Sequence, residues 1–216
     1  MQASRDIQLQ PLVLVQEITH RVLNEYSEAI SSLALAAARA PDATSELALT
    51  SAALRLRARA EAHRALQSPN VKGLIDLAGY LDDLCARLNR ALLADACTRL
   101  TVCADEIWLD ADYCWRVGLI VAELVRNATR HGTCDGPGAI NVETRQARGR
   151  IVCQVCNDAD GGSAIGRGRG RGLVEALAAE LGGSVVWTFA PGGCCARLEF
   201  PLPGQVDRGP TPHARG

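Results

Sequence analysis

Glu17-Ile18-Thr19-His20-Arg21-Val22-Leu23-Asn24 sets an imidazole inside an apolar helical rhythm. Leu12, Val15, Ile18, Val22, Ala29, Leu33 and Ala36, with Tyr26 between them, recur at three- and four-residue steps. Such steps mark one face of a helix. His20 lies two residues from Ile18 and two from Val22, so it falls away from that stripe toward water. Asn24, Ser27 and Ser31 follow it at helical spacing. An exposed imidazole is neutral for part of the time at pH 7 and can act as a nucleophile. A solvated histidine without a role has the same spacing, so the reading of His20 depends on the rest of the chain.

Outward from this stretch, the periodicity predicts a first helix over Ile7–Arg39, broken at Pro41-Asp42. Asp42 or Thr44 can cap a second helix over Ser45–Leu66, with Leu47, Leu54, Leu56 and Leu66 as core positions. The short connection makes the two helices antiparallel neighbours. A two-helix hairpin exposes much apolar surface, which pairing with a second copy in a four-helix bundle would cover. Ser68-Pro69-Asn70 ends the hairpin. A third helix over Leu74–Ala96 carries Leu77, Leu81, Leu84, Leu88 and Leu92, and either extends the hairpin or leads into the next domain.

The pattern then changes. Leu100–Cys103 reads as a strand, and Asp112–His131 as a helix with core residues Val117, Ile120, Val121, Leu124 and Val125. Ala139–Thr144 and Arg150–Cys156 alternate as a hairpin. A helix over Leu173–Leu181 ends at Gly182-Gly183, a good C-terminal signal. Val185–Phe189 and Ala196–Phe200 form a last hairpin around Pro191-Gly192-Gly193. From Gly204 the tail has no core residues and is expected to be disordered. The fold class is thus α+β: a helical hairpin joined to an α/β sandwich with one mixed sheet and helices on one face.

Composition narrows the function. The chain has 216 residues, is 48% hydrophobic and only 4% aromatic, and carries a formal net charge of −1. Without a basic excess, nucleic-acid binding is not expected. No apolar run reaches the roughly eighteen residues of a membrane span, and the opening residues lead into no signal-peptide core. A cytoplasmic location is expected. The cysteines number nine, an odd count, and Cys103, Cys114, Cys153 and Cys156 lie in strand-like or core-like runs. They are read as reduced thiols serving as small hydrophobes, and the adjacent pair Cys194-Cys195 receives no role.

Three segments of the second half suit a nucleotide. Glu123 and Asn127 stand four apart, so both project from one helix face. A carboxylate and an amide placed together suit Mg²⁺. Arg130 and His131 follow within reach of phosphate oxygens. The run Gly166-Arg167-Gly168-Arg169-Gly170-Arg171-Gly172 lets the backbone approach phosphates at the start of a helix. It is neither a Walker loop nor a good dinucleotide fingerprint. Asn157-Asp158-Ala159-Asp160-Gly161-Gly162 follows a strand, where an Asn or Asp can hydrogen-bond the amino edge of adenine. It is also a good turn sequence.

In this order, the segments resemble a histidine kinase core of the two-component type. The first part is similar to a dimerisation and histidine-phosphotransfer domain, and the second to a GHKL (Bergerat) ATPase domain. His20-Arg21-Val22-Leu23-Asn24 looks like the phosphoacceptor segment of the HWE and related kinases, and Arg55–His63 like their second hairpin helix, which carries its own Ala-His. Glu123–Asn127 is similar to the N box, and Gly166, Gly168 and Gly170 to the second glycine box, continued by Ala178-Ala179-Glu180-Leu181-Gly182-Gly183.

The resemblance implies residues 1–70 as hairpin, 71–98 as a connecting helix, 99–203 as the ATPase-like domain and 204–216 as tail. It implies ATP and Mg²⁺ as cofactors, a homodimer through the hairpin, and a response-regulator receiver domain as partner. His20 would accept the phosphoryl group. Asn127 would hold Mg²⁺, with Glu123 positioning it or moving a proton, and Asn24 would orient a water or phosphoryl group. Gly161, Gly166, Gly168, Gly170, Arg130, His131, Asn157 and Asp158 would contact the nucleotide. His63 is read as structural, facing the partner helix. The sequence departs from the adenine box, with Asn157 in the usual Asp position and Ala159 at its first glycine, and the segment from Gly162 to Gly166 is short for a lid. These departures keep two alternatives open. One is a phosphotransferase that relays phosphate between receiver domains without ATP. The other is a non-catalytic GHKL-like module that binds a partner.

Overall fold

A computed structural model describes residues 3–67, 72–93, 98–131, 138–158 and 169–204, apart from the side chains of residues 3–19, 130, 131 and 169. The expected disordered tail lies outside the described residues from 205 on. Two long helices, α1 (Ala3–Ala38) and α2 (Ala43–Ala65), form the antiparallel hairpin. Asp42 is the cap of α2, and its carboxylate accepts from the Ser45 N–H at 2.8 Å. The backbone amides at a helix start lack intrahelical partners, and such a side chain satisfies one of them.

On α1 the expected stripe residues Val22, Tyr26, Ala29 and Leu33 are partly buried. Leu23 and Ala37 are buried, whereas Ala36 is exposed. On α2, Ala60 and Ala62 are buried, while the expected core residues Leu47 and Leu54 are 69% and 58% exposed. Ala62 joins the core that α3 and α4 share, while Leu47 and Leu54 stay on the outer face of α2.

The predicted third helix begins later than its first leucine. Leu74–Asp76 forms a short strand, β1, paired antiparallel with β3 (Trp108–Asp110). The helix α3 (Leu77–Leu92) starts after Asp76, whose carboxylate accepts from the amides of Ala78 and Gly79. Leu77, Leu81, Leu84 and Leu88 are all buried, and α3 packs against both α2 and α4 (Ala111–His131). It therefore joins the hairpin to the sandwich.

The main sheet has five strands in the order β2-β4-β5-β7-β6. These are β2 (Thr98–Ala104), β4 (Gly138–Ala147), β5 (Arg150–Asn157), β6 (Ser184–Ala190) and β7 (Gly193–Pro201). The β2–β4 pair is parallel and the others are antiparallel, so the sheet is mixed. Arg148 and Gly149 both have positive φ in the two-residue β4–β5 turn, the backbone that matches strand twist there.

Alternating residues Ile140, Val142, Ile151, Cys153, Val155, Leu198 and Phe200 face the core. Against them pack Val117, Ile120, Val121 and Val125 of α4, with Val174 and Ala178 of α5 (Arg169–Glu180). The helices thus cover one face, as expected. Gly182, with φ of +70°, terminates α5 as predicted, while the Gly182 and Gly183 amides bond back to Ala179 and Ala178.

The cysteines divide. Cys85, Cys114 and Cys153 are buried, and burial pushes their thiols up to about 12, 12 and 11. Cys103, expected to be a small hydrophobe, is exposed on β2. Cys156 is not a reduced core thiol. The β5–β7 register sets it opposite Cys195, with Cα atoms 4.1 Å apart, and the two are joined in a disulfide.

Candidate functional site

His20 stands on the solvent side of α1, with Asn24 exposed one turn later, while Leu23 between them is buried. The helix therefore presents the imidazole and the amide side by side. Ser27 and Ser31 do not extend that polar surface outward. Their hydroxyls donate to the carbonyls of Leu23 and Ser27, at 2.9 and 2.8 Å. His63 behaves differently from His20. It is half-buried on α2 with its ring centroid 5.6 Å from that of Tyr26. Burial holds its pKa below the ordinary value, and the nearby Arg126 guanidinium lowers it further.

The second cluster is built on α4. Glu123 and Asn127 are one turn apart on the helix, and the Glu123 carboxylate accepts from Arg126 Nη1 at 3.0 Å. The start of α5 sits directly on this pair. A Cβ added at Gly170 would collide with the Glu123 carboxylate oxygen and lie 3.4 Å from Asn127 Nδ2. Only a residue without a side chain lets the backbone of the glycine run come so close. One member of the predicted phosphate loop is thereby brought onto the predicted metal pair.

Asn127 also meets Asn157. Both line a small cavity of about 30 Å³ between α4 and the sheet, walled by Leu124, Trp187, Cys194 and Ala196. The buried indole N–H of Trp187 has no hydrogen-bond partner among the described residues, and the Arg171 guanidinium lies 5.3 Å from its ring centroid. The end of β5 approaches β7 closely here. A Cβ at Gly193 would strike the Asn157 carbonyl, and Cys194 pairs in register with Asn157. Asp158, read as a possible adenine ligand, has other work in this structure. Its Oδ1 accepts from the Ala139 N–H at 2.7 Å, and its own N–H donates to the Ala139 carbonyl at 3.2 Å. It fastens the end of β5 to the start of β4.

Gly161, Gly166 and Gly168 lie outside the described residues, as do the side chains of Arg130 and His131, although both belong to α4. His20 and Asn24 are on α1, apart from the cluster that unites Glu123, Asn127, Asn157 and Gly170. The sequence reading missed Arg126 and Trp187, and it included Arg171 only as one of the arginines of the glycine run. The three-residue step from Glu123 to Arg126 was the available signal for the first. No local signal pointed to Trp187, which reaches the cavity through the β6–β7 pairing.

Comparison with known proteins agrees with this geometry. Residues 17–92 match the family described as histidine kinase, and residues 86–198, over half of the chain, match the histidine kinase-like ATPase domain. No curated protein matches by sequence. Among solved structures, the histidine kinase domain of the Erythrobacter litoralis EL346 blue-light activated histidine kinase is 20% identical, with a TM-score of 0.58. That match covers 83% of this chain and 94% of the domain. Against a second structure of the EL346 kinase the identity is 24% and the TM-score 0.57, covering 70% of this chain and 55% of that one. Full-length ShkA in complex with AMPPNP is 16% identical with a TM-score of 0.52, covering 89% of this chain and 45% of that chain. At these identities the structural likeness is one of fold. The two family matches, in this order along the chain, place it among the histidine kinases, with a histidine kinase region followed by a histidine kinase-like ATPase domain.

Proposed function

We propose that the chain is a two-component kinase core that transfers the γ-phosphoryl group of ATP to His20, and from there to an aspartate of a response-regulator receiver domain. The observation that carries this reading is the seat of Gly170 on Glu123 and Asn127, which joins the glycine run to a metal-ready pair. In the first step a ring nitrogen of His20 attacks phosphorus. The bond to the β-phosphate oxygen breaks, ADP leaves, and the imidazole proton is lost. Catalysis would rest mainly on positioning and charge neutralisation.

Asn127 is assigned to Mg²⁺, with Glu123 positioning the ion or receiving the proton. Among the described residues no cluster of three His, Cys, Asp or Glu side chains stands ready for a metal. Mg²⁺ is commonly held by one or two protein groups plus substrate phosphates. Asn157 is assigned to the adenine edge. Arg130, His131 and the remaining glycines are assigned to the phosphates, and Asn24 to orienting a phosphoryl group or water beside His20.

The hairpin is assigned as the homodimer interface, because Leu35, Leu47 and Leu54 are more than half exposed on it. Among the described residues no helix is long and apolar enough to cross a membrane, and we assign the chain to the cytoplasm. The division into 1–70, 71–98, 99–203 and 204–216 is kept as a proposal, with α3 as the connecting element.

One observation favours the relay reading instead. The cavity beside Asn157 is about 30 Å³, roughly a tenth of the smallest ordinary small-ligand sites. Calorimetry with ATP and Mg²⁺, combined with γ-labelled ATP, separates the two readings. Binding and acid-labile label in the wild type, with label lost in His20→Gln and both lost in Asn127→Ala, is the outcome expected of a kinase. Absence of both in the wild type, with label accepted from a phosphorylated receiver domain, would establish the relay.

A further inference from the structure

A second, larger cavity of about 420 Å³ opens where α2, α3 and α4 meet, and none of the roles assigned above uses it. Its charged wall is basic, with Arg59 and His63 from α2 and Arg126 from α4, and Thr129 of α4 is the neutral polar residue beside them. Its apolar wall is Leu66, Leu88 and Leu92. Among the described residues no carboxylate lines it. The nearest acidic residue along α2, Glu61, is taken by Arg64 and Arg87. Arg59 and His63 have no acidic partner among the described residues. Arg126 is paired with Glu123, so Arg59 and His63 are the basic groups that give the hollow its unbalanced positive charge. Guanidinium forks match the two oxygens of a carboxylate, and the leucines match a hydrocarbon body.

We propose that this cleft binds a small amphipathic anion, an aliphatic carboxylate whose head lies among Arg59, His63 and Arg126 and whose chain lies on Leu66, Leu88 and Leu92. The volume is in the ordinary range for small-ligand sites. Burial and the Arg126 guanidinium lower the His63 pKa, and an anion beside the ring would raise it. The site also reaches the kinase machinery. Arg126 now spends its guanidinium on Glu123 at 3.0 Å, and an anion in the cleft competes for it. Binding itself does not depend on phosphoryl transfer, so the proposal stands or falls separately from the function proposed above.

The test uses the full chain with octanoate as probe, 1-octanol as the uncharged tail and inorganic phosphate as a head without a tail. Calorimetry reads affinity. The His63 imidazole resonance, assigned by its loss in His63→Gln, reads the location. The expected result is saturable octanoate binding that raises the His63 pKa, with octanol and phosphate at least tenfold weaker. Arg59→Gln, at an exposed position that should not affect folding, and Arg126→Gln should each weaken octanoate at least tenfold. Equal binding of octanoate and octanol, an unmoved His63 resonance, or wild-type affinity in Arg59→Gln would overturn the proposal.

Discussion

The hairpin and the sandwich handle their leucines in opposite ways. Leu77, Leu81 and Leu84 of α3 are 0% exposed in the core beneath the sheet. Leu35, Leu47 and Leu54 of the hairpin are 53%, 69% and 58% exposed. The sandwich closes its own core within one chain, with helices on one sheet face. Besides Leu23, the hairpin buries small residues, Ala37, Ala60 and Ala62, while Leu35, Leu47 and Leu54 point outward. A sequence can be strongly helical and still leave its apolar surface to be covered by a second molecule.

The largest effects should come from breaking the closed half. Phe200→Ala removes a ring that is fully buried at the end of β7 and should cost about 3–5 kcal/mol in chemical denaturation. Leu54→Ala should cost less than about 0.5 kcal/mol in dilute protein. A comparable loss at both positions would end the contrast. The open half is tested next by Leu47→Glu combined with Leu54→Glu. Light scattering should show a dimer dissociating at least about tenfold more readily, with the sandwich's thermal transition unchanged, because charge is placed on an interface that must be desolvated. A double variant that associates like the wild type would remove the hairpin from the interface.

At the site, Gly170→Ala sharpens the comparison from the other side. The added methyl meets the flexible end of Glu123, so folding stability should change by less than about 1 kcal/mol. Displacing that carboxylate should lower phosphoryl transfer roughly hundredfold, the usual scale for misplacing a positioning group. The smallest effect concerns His63, at the border of the two halves. Its folded pKa is depressed, so the native state favours the neutral ring. The stability this provides is complete above the unfolded value near 6.5 and is lost as pH falls through the lower folded value. The Tm of His63→Gln should therefore fall less than that of the wild type below about pH 6.5.

The sandwich was the more legible part for the same reason that it is closed. In α3 and α4 a single buried face imposes period 3.6, and Val117, Ile120, Val121, Leu124 and Val125 are all buried as their spacing predicts. In the hairpin two apolar faces compete. The alanines turned inward were passed over, and Leu47 and Leu54 were assigned to a core that this single chain does not contain. The glycine run could be read as a close-approach element, but not which residue it approaches. Arg169-Gly170-Arg171-Gly172 lies inside α5 although its glycines argue for a loop, because packing on Glu123 outweighs poor helix propensity. Asp158 and the Cys156–Cys195 link depend on strand register between distant segments, which no local pattern encodes.

The contact at Gly170 also determines what variation that position can absorb. Every missense change there adds a Cβ, whether the new side chain is small, charged or aromatic, and the space for that atom is already filled by the Glu123 carboxylate. In a saturation scan, position 170 should therefore respond as a single block. Shortening residue 123 would make room for the Cβ but would also remove the carboxylate, so such double variants should fold normally and still transfer poorly.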